Sequence, residues 1–180
     1  QSTPWVITPH FHPSWSMWGG SKRKTLREFY DTVVGKGTLE TADLITCVSE
    51  HERDMLVSEI GVNEDNIKII YNGINWKDWE VAPSGNIFRN KYPEISDKFI
   101  IFAGRLATNK GIPDLIESIS IEGSKRFDLV VMGADMGLGE DLDQLAISKN
   151  VKMHRIGHVD DKMYRSALSA ADVLVLPSEY

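Results

Sequence analysis

The chain has a single cysteine, Cys47, in 180 residues, which excludes an internal disulfide framework and fits a reducing compartment. No apolar run approaches the roughly 18–20 residues needed to cross a bilayer. Positive charge is in deficit: the formal net charge of −6 argues against nucleic acid as an electrostatic partner. Both common glycine-rich phosphate loops are missing. G-x-x-x-x-G-K-[ST] is excluded because Lys110 follows Asn109 and precedes Gly111, and G-x-G-x-x-G because no glycine stands two residues after Gly104. Internal repeats and low-complexity tracts are also absent. What remains, at 42% apolar and 26% charged residues, is an ordinary globular protein of one domain or one and a fraction.

The most informative stretch is Phe99-Ile-Ile-Phe-Ala-Gly-Arg-Leu-Ala-Thr-Asn-Lys-Gly111. An apolar strand runs into Gly104 and Arg105, with Lys110 five residues further on. Ile112-Pro-Asp-Leu-Ile-Glu-Ser-Ile119 then has helical apolar spacing, with proline where a helix start tolerates it. Two cations and a run of backbone N–H groups at the mouth of a helix are what a phosphate needs; a solvated loop would have the same sequence. Arg105 suits a bidentate grip and Lys110 a point charge.

From residue 99 the pattern alternates. Strands are expected at Phe99–Ala103, Phe127–Met132, Val151–His154 and Val173–Leu176, with helices near 112–121, 139–149 and 161–171, the last capped by Asp160 or Asp161. That order implies βαβ units and a parallel sheet, shorter than a usual nucleotide domain. In the first part, Val6–Thr8, Leu44–Val48 and Ile67–Ile70 read as strands, and helices are expected near 22–34 and 50–60. Ser49 and Glu52 form a capping box for the second. Cys47, inside a strand, reads as a packed thiol. The Asn-Gly turn at 72–73 and Pro83-Ser-Gly85 mark a linker, giving domains over 1–72 and 86–180 with the linker at 73–85.

Four ordered motifs resemble the retaining glycosyltransferases of family 4, whose architecture is the two-Rossmann-domain GT-B fold. They are Thr41-Ala-Asp-Leu-Ile-Thr-Cys-Val-Ser49, Ile69-Ile-Tyr-Asn-Gly-Ile-Asn75, Gly104-Arg-Leu with Lys110-Gly, and Ala170-Ala-Asp-Val-Leu-Val-Leu-Pro-Ser178. The resemblance implies an α/β chain: the end of an acceptor domain joined to a truncated donor-nucleotide domain with a Rossmann-like parallel sheet. It implies transfer of a sugar from a UDP- or GDP-sugar to a hydroxyl acceptor, glycan or lipid-linked, with retention and with no cofactor required. Rivals on the same architecture are a nucleotide-sugar epimerase and a non-catalytic nucleotide-binding module.

By the same resemblance, Arg105 and Lys110 bind the donor phosphates and stabilise the departing diphosphate, where negative charge develops in the transition state. Gly104 and Gly133 belong to the same donor site, and Ile156, Gly157 and Val159 lie beside the nucleotide base. His158 reads as an exposed loop imidazole. His10, in Thr8-Pro-His-Phe-His12, matches a histidine that contacts a donor-sugar hydroxyl or positions the acceptor. A His10/His12 metal pair is the rival, poorly supported without a third ligand. The family's paired glutamates, E-x7-E, are expected just past Tyr180, so Glu179 is not the first of them. The 180 residues alone are therefore expected to lack transferase activity.

Two segments stay open. His12–Trp18 followed by Ser21-Lys-Arg-Lys24 reads either as an acceptor loop and solvated helix start or as a peripheral membrane contact. Asp135, Glu140, Asp141 and Asp143 read as carboxylates favoured near a helix start rather than as a cation site. The expected location is cytoplasmic, with peripheral contact at the inner membrane face as the variant.

Overall fold

The computed structural model describes residues 3–11, 25–26, 29–81, 83–123 and 126–178. The chain divides into two compact units, Gln1–Asn75 and Trp76–Tyr180, each with its own sheet. Among the described residues, no helix is long and apolar enough to cross a membrane.

In the first unit, β1 (Val6–Ile7), β2 (Leu44–Cys47) and β3 (Ile67–Ile69) lie in the order β1-β2-β3. All are parallel, with Val6 opposite Leu44 and Ile45 opposite Ile67. Of the helix expected over 22–34, residues 22–24 and 27–28 lie outside the described residues; 25–26 and 29 are α-helical, and a π-helical stretch, Tyr30–Gly35, continues past the expected end into α1 (Lys36–Glu40). The reason is Leu39, which lies past the expected end and anchors α1 in the core with Ile45, Cys47, Leu56 and Ile60. Cys47 is fully buried, and burial, with Glu52 nearby, pushes its thiol pKa up. That is the packed thiol the sequence suggested.

α2 (Glu50–Met55) continues as a π-helical stretch, Leu56–Ile60, and ends at Gly61 in the left-handed conformation. Ser49 Oγ accepts the Glu52 N–H at 3.1 Å, the first half of the expected capping box. The second half differs. Glu52, itself buried, accepts the N–H of Val48, one residue upstream, and the N–H of Phe11.

The second unit opens with α3 (Trp76–Trp79), inside the expected linker, followed by α4 (Asn86–Lys91). Its sheet contains β4 (Phe99–Ala103), β5 (Asp128–Met132), β6 (Met153–Gly157) and β7 (Val173–Leu174) in the order β6-β5-β4-β7, all parallel. Three helices connect them: α5 (Ile112–Gly123), α6 (Gly139–Ser148) and α7 (Asp161–Ala170). Side chains alternate across β4 and β5. Phe102, Leu129 and Val131 pack under α5 and α6, whereas Phe99, Ile101, Val130 and Met132 pack against Phe88 of α4 and Ala167 of α7. This is a doubly wound sheet.

Two strands depart from expectation. β6 lies two to three residues later than Val151–His154, because Val151 is buried where α6 returns to the sheet while the half-exposed Met153–Gly157 forms the edge. β7 keeps only Val173–Leu174, although the Val175 N–H still reaches the Ile101 carbonyl.

Candidate functional site

The chain leaves β4 toward β5 on one side and returns through α7 to β7 on the other. The carboxyl end of β4 is therefore the point where strand order reverses, the usual ligand position in such sheets. A cavity of about 550 Å³ opens there, with walls from the ends of β4 (Gly104, Arg105), β5 (Gly133, Ala134) and the loop into α7 (His158, Val159). Asp160, Asp161 and Tyr164 close the α7 side.

Glycines shape the floor. Gly133 has φ +148°, and a Cβ on it would run into the Gly104 carbonyl. Its N–H donates to the Gly157 carbonyl at 2.9 Å, tying the ends of β5 and β6 together. Gly111, at φ +63°, lies equally close to the Pro177 carbonyl, so the loop after Lys110 is fitted against the loop after β7.

The expected run of backbone donors looks different in three dimensions. The N–H groups of Gly104, Leu106, Ala107 and Lys110 donate to the carbonyls of Met132, Ala134, Arg105 and Ala107. From this loop Gly104 and Arg105 line the cavity, and the Arg105 side chain is exposed and has no ion-pair partner among the described residues. Lys110 ends a 3-10 turn, Thr108–Lys110, and is half-buried outside the cavity wall.

Of the residues singled out from the sequence, Gly104, Arg105, Gly133 and Val159 thus meet at one cavity. Ile156 packs into the core beneath it, and Gly157 supports it through its carbonyl. His158 is exposed, as expected, but lines the wall. Tyr164, within the helix expected near 161–171, both packs on the core and lines the cavity. Asp160 is the α7 cap, its Oδ1 accepting the Met163 N–H at 2.7 Å, and Asp161 pairs with Arg165.

The acidic group at 135–143 does more than occupy the start of a helix. Asp135 Oδ1 accepts the N–H groups of Gly137, Leu138 and Gly139 at 2.8–3.0 Å. Arg155 bridges Asp135 and Asp143, at 3.1 and 2.7 Å. The Gly137 N–H and its neighbours hold the Asp135 carboxyl below its usual pKa, and the hydrogen bond to Asp143 raises that of Arg155.

In the first unit, His10 adopts a left-handed φ of +47°, uncommon for a residue with a side chain. Its neighbours fix it there: the Thr8 and Thr46 hydroxyls are 2.6 Å apart, and Glu52 holds the Phe11 N–H at 2.6 Å. His10 borders a second cavity of about 260 Å³, between its loop and the helical stretch Tyr30–Gly35. Among the described residues no three His, Cys, Asp or Glu side chains gather as a metal site. His12, the aromatic and basic stretch to Lys24, and Glu179 lie outside the described residues.

Known proteins resemble this chain in sequence and in fold. An uncharacterized glycosyltransferase of Methanocaldococcus jannaschii is 29% identical over 150 residues, 79% of this chain and 38% of that protein. The Anabaena HepE structure in complex with UDP and glucose superposes with a TM-score of 0.73 at 18% identity, over 97% of this chain and 46% of that one. Sucrose-phosphate synthase from Thermosynechococcus elongatus gives 0.74 at 23% identity, over 98% and 45%. The chain therefore spans about two-fifths of that curated relative and less than half of those structures. The family model for Glycosyltransferase Family 4 matches residues 1–77, and that for Glycosyl transferases group 1 matches residues 97–180. With both halves matched in order and the fold shared, the chain belongs to the family 4, group 1 glycosyltransferases of GT-B architecture.

Proposed function

We propose that the protein to which these residues belong transfers a sugar from a nucleoside diphosphate sugar to a hydroxyl acceptor, with retention, and that Trp76–Tyr180 binds the donor nucleotide. The observation that carries this reading is Arg105, a cation without an ion-pair partner among the described residues, at the wall of the cavity where strand order reverses. A guanidinium placed there attracts a diphosphate, and attracts it more strongly as the sugar–phosphate bond breaks and charge gathers on the leaving oxygen. Lys110, beside it in the loop, adds a second positive charge once phosphate is present.

The cavity can hold a nucleoside moiety against Val159 and Tyr164, with the diphosphate toward Gly104 and Arg105. That HepE was crystallised with UDP and glucose supports a nucleotide-sugar donor for this fold. His10, held in a left-handed conformation, is the proposed group for the acceptor or a donor-sugar hydroxyl. A glycan or lipid-linked acceptor and peripheral membrane contact through His12–Lys24 belong to the same proposal. Retention then proceeds on one face of the sugar, with the leaving phosphate taking the acceptor proton.

The test is calorimetric titration of the 180-residue chain with UDP, GDP and ADP. Saturable binding of one of them is the expected result, and no binding of any overturns the reading.

A further inference from the structure

The Asp135–Arg155 pair lies outside the cavity, yet it is connected to Arg105 by a short path of bonds. Leu106, the residue after Arg105, is clamped on both sides by the loop that follows β5. Its N–H donates to the Ala134 carbonyl at 2.9 Å, and its carbonyl accepts the Met136 N–H at 3.2 Å. That loop has few other supports, since Ala134, Asp135, Met136 and Gly137 are all exposed. Its shape is set by Asp135, whose Oδ1 gathers three successive N–H groups while its Oδ2 meets Arg155. Arg155 spreads its guanidinium between Asp135 on the loop and Asp143 on α6. Gly139 is buried directly beneath this junction, where a Cβ would collide with the Arg155 guanidinium and the Asp135 carboxylate.

We infer that Asp135 and Arg155 are positioning residues for Arg105: together they brace the 134–136 loop that fixes the Leu106 backbone and so aims the guanidinium into the cavity. The inference rests on Arg105 being a phosphate-binding group, as proposed above. Partly exposed ion pairs contribute little to stability, and both side chains here are about a third exposed. The three-way arrangement is therefore better accounted for by geometry than by stability. The N–H groups of Gly137, Leu138 and Gly139 at the entry to α6 are taken by the chain's own Asp135 carboxylate.

The test combines a double-mutant cycle with a readout that needs no ligand. UDP, GDP and ADP are titrated into wild type, Arg155→Gln, Arg105→Ala and the double variant, and whichever binds is carried through the cycle. Amide hydrogen exchange is followed at Leu106 and Met136. Arg155→Gln should weaken the nucleotide about fivefold in the wild-type background and have no further effect once Arg105 is alanine, the signature of coupled sites. It should also speed exchange at Leu106 and Met136, whereas Arg105→Ala should not. Arg155→Lys, which restores a charge but not the two-way fork, should recover only part of the affinity. Equal losses in both backgrounds, or unchanged exchange at both amides, would overturn the inference. Faster exchange without nucleotide binding by wild type would instead support the brace and reject the nucleotide reading.

Discussion

The α-carbon of Gly133 lies against the carbonyl oxygen of Gly104, with no room for a methyl group between them. This contact brings the ends of β4 and β5 close enough to form the cavity floor. Its cost to any other residue has two parts, because Gly133 also has a positive φ. Gly157 separates them: its φ is +78°, yet a Cβ there would enter open space. Gly133→Ala should lower unfolding free energy by about 3 kcal/mol, with collision added to backbone strain. Gly157→Ala should lower it by about 1–2 kcal/mol through strain alone. Urea denaturation of both variants decides the point, and equal losses would remove the special role of the Gly104 contact.

Arg105 gives the opposite combination. With no ion-pair partner among the described residues, its replacement by alanine should leave stability within about 0.5 kcal/mol of wild type. Nucleoside diphosphate affinity should fall about tenfold or more through loss of a charge-assisted bidentate contact. Lys110→Ala should weaken binding by less, because Lys110 stands outside the cavity wall. Calorimetry on both variants checks the order, and full affinity in Arg105→Ala would remove the phosphate grip from this loop.

Glu52 supports the His10 loop from beneath. Its two carboxylate oxygens each accept a backbone N–H, from Phe11 at 2.6 Å and from Val48 at 2.8 Å. A glutamine in its place has one acceptor oxygen and must turn an NH₂ group toward the other N–H. Glu52→Gln should therefore cost about 1–3 kcal/mol, the penalty for leaving a buried donor unmet. Circular dichroism melting of the variant measures it; an unchanged transition would mean that the loop does not depend on this carboxylate.

Strand β4 and helix α5 were legible because each carries a strong, unmixed signal: five apolar residues in a row, then apolar residues at helical spacing. β6 was misplaced because burial and strand formation part company there, with Val151 buried before the strand begins and Met153–Gly157 pairing with mixed polarity. The Asp135–Arg155–Asp143 group was not legible as a unit. Its members are separated by 20 and 12 residues and meet only because β5 and β6 are neighbours in the sheet. Tyr164 shows the same limit on a smaller scale. Periodicity assigns a helical residue to a face, but the edge of that face overhangs a cavity only once the sheet is assembled.

Asp128, at the start of β5, is a charged residue without a role at the cavity, and it predicts the acid sensitivity of the fold. Burial pushes its pKa up, but the Lys152 ammonium, the Ser96 N–H and His154 outweigh burial and hold it at about 2. In the unfolded chain an aspartate titrates near about 3.9. Above roughly pH 5 the group is ionised in both states, so its full contribution, about 2 kcal/mol, is present at neutral pH. As pH falls, the unfolded chain takes up the proton first and the contribution shrinks, vanishing only below about pH 2, where both states are protonated. Asp128→Asn lacks the titrating group, so its stability gap from wild type should be about 1 kcal/mol smaller at pH 3 than at pH 7. A gap independent of pH in urea unfolding would contradict the depressed pKa. Asp128 and the cavity-lining Met132 occupy opposite ends of β5, about 13 Å apart along the strand, so the substitution should leave nucleoside diphosphate affinity at pH 7 unchanged. Stability at one end of the sheet and binding at the other then become separable measurements on one variant.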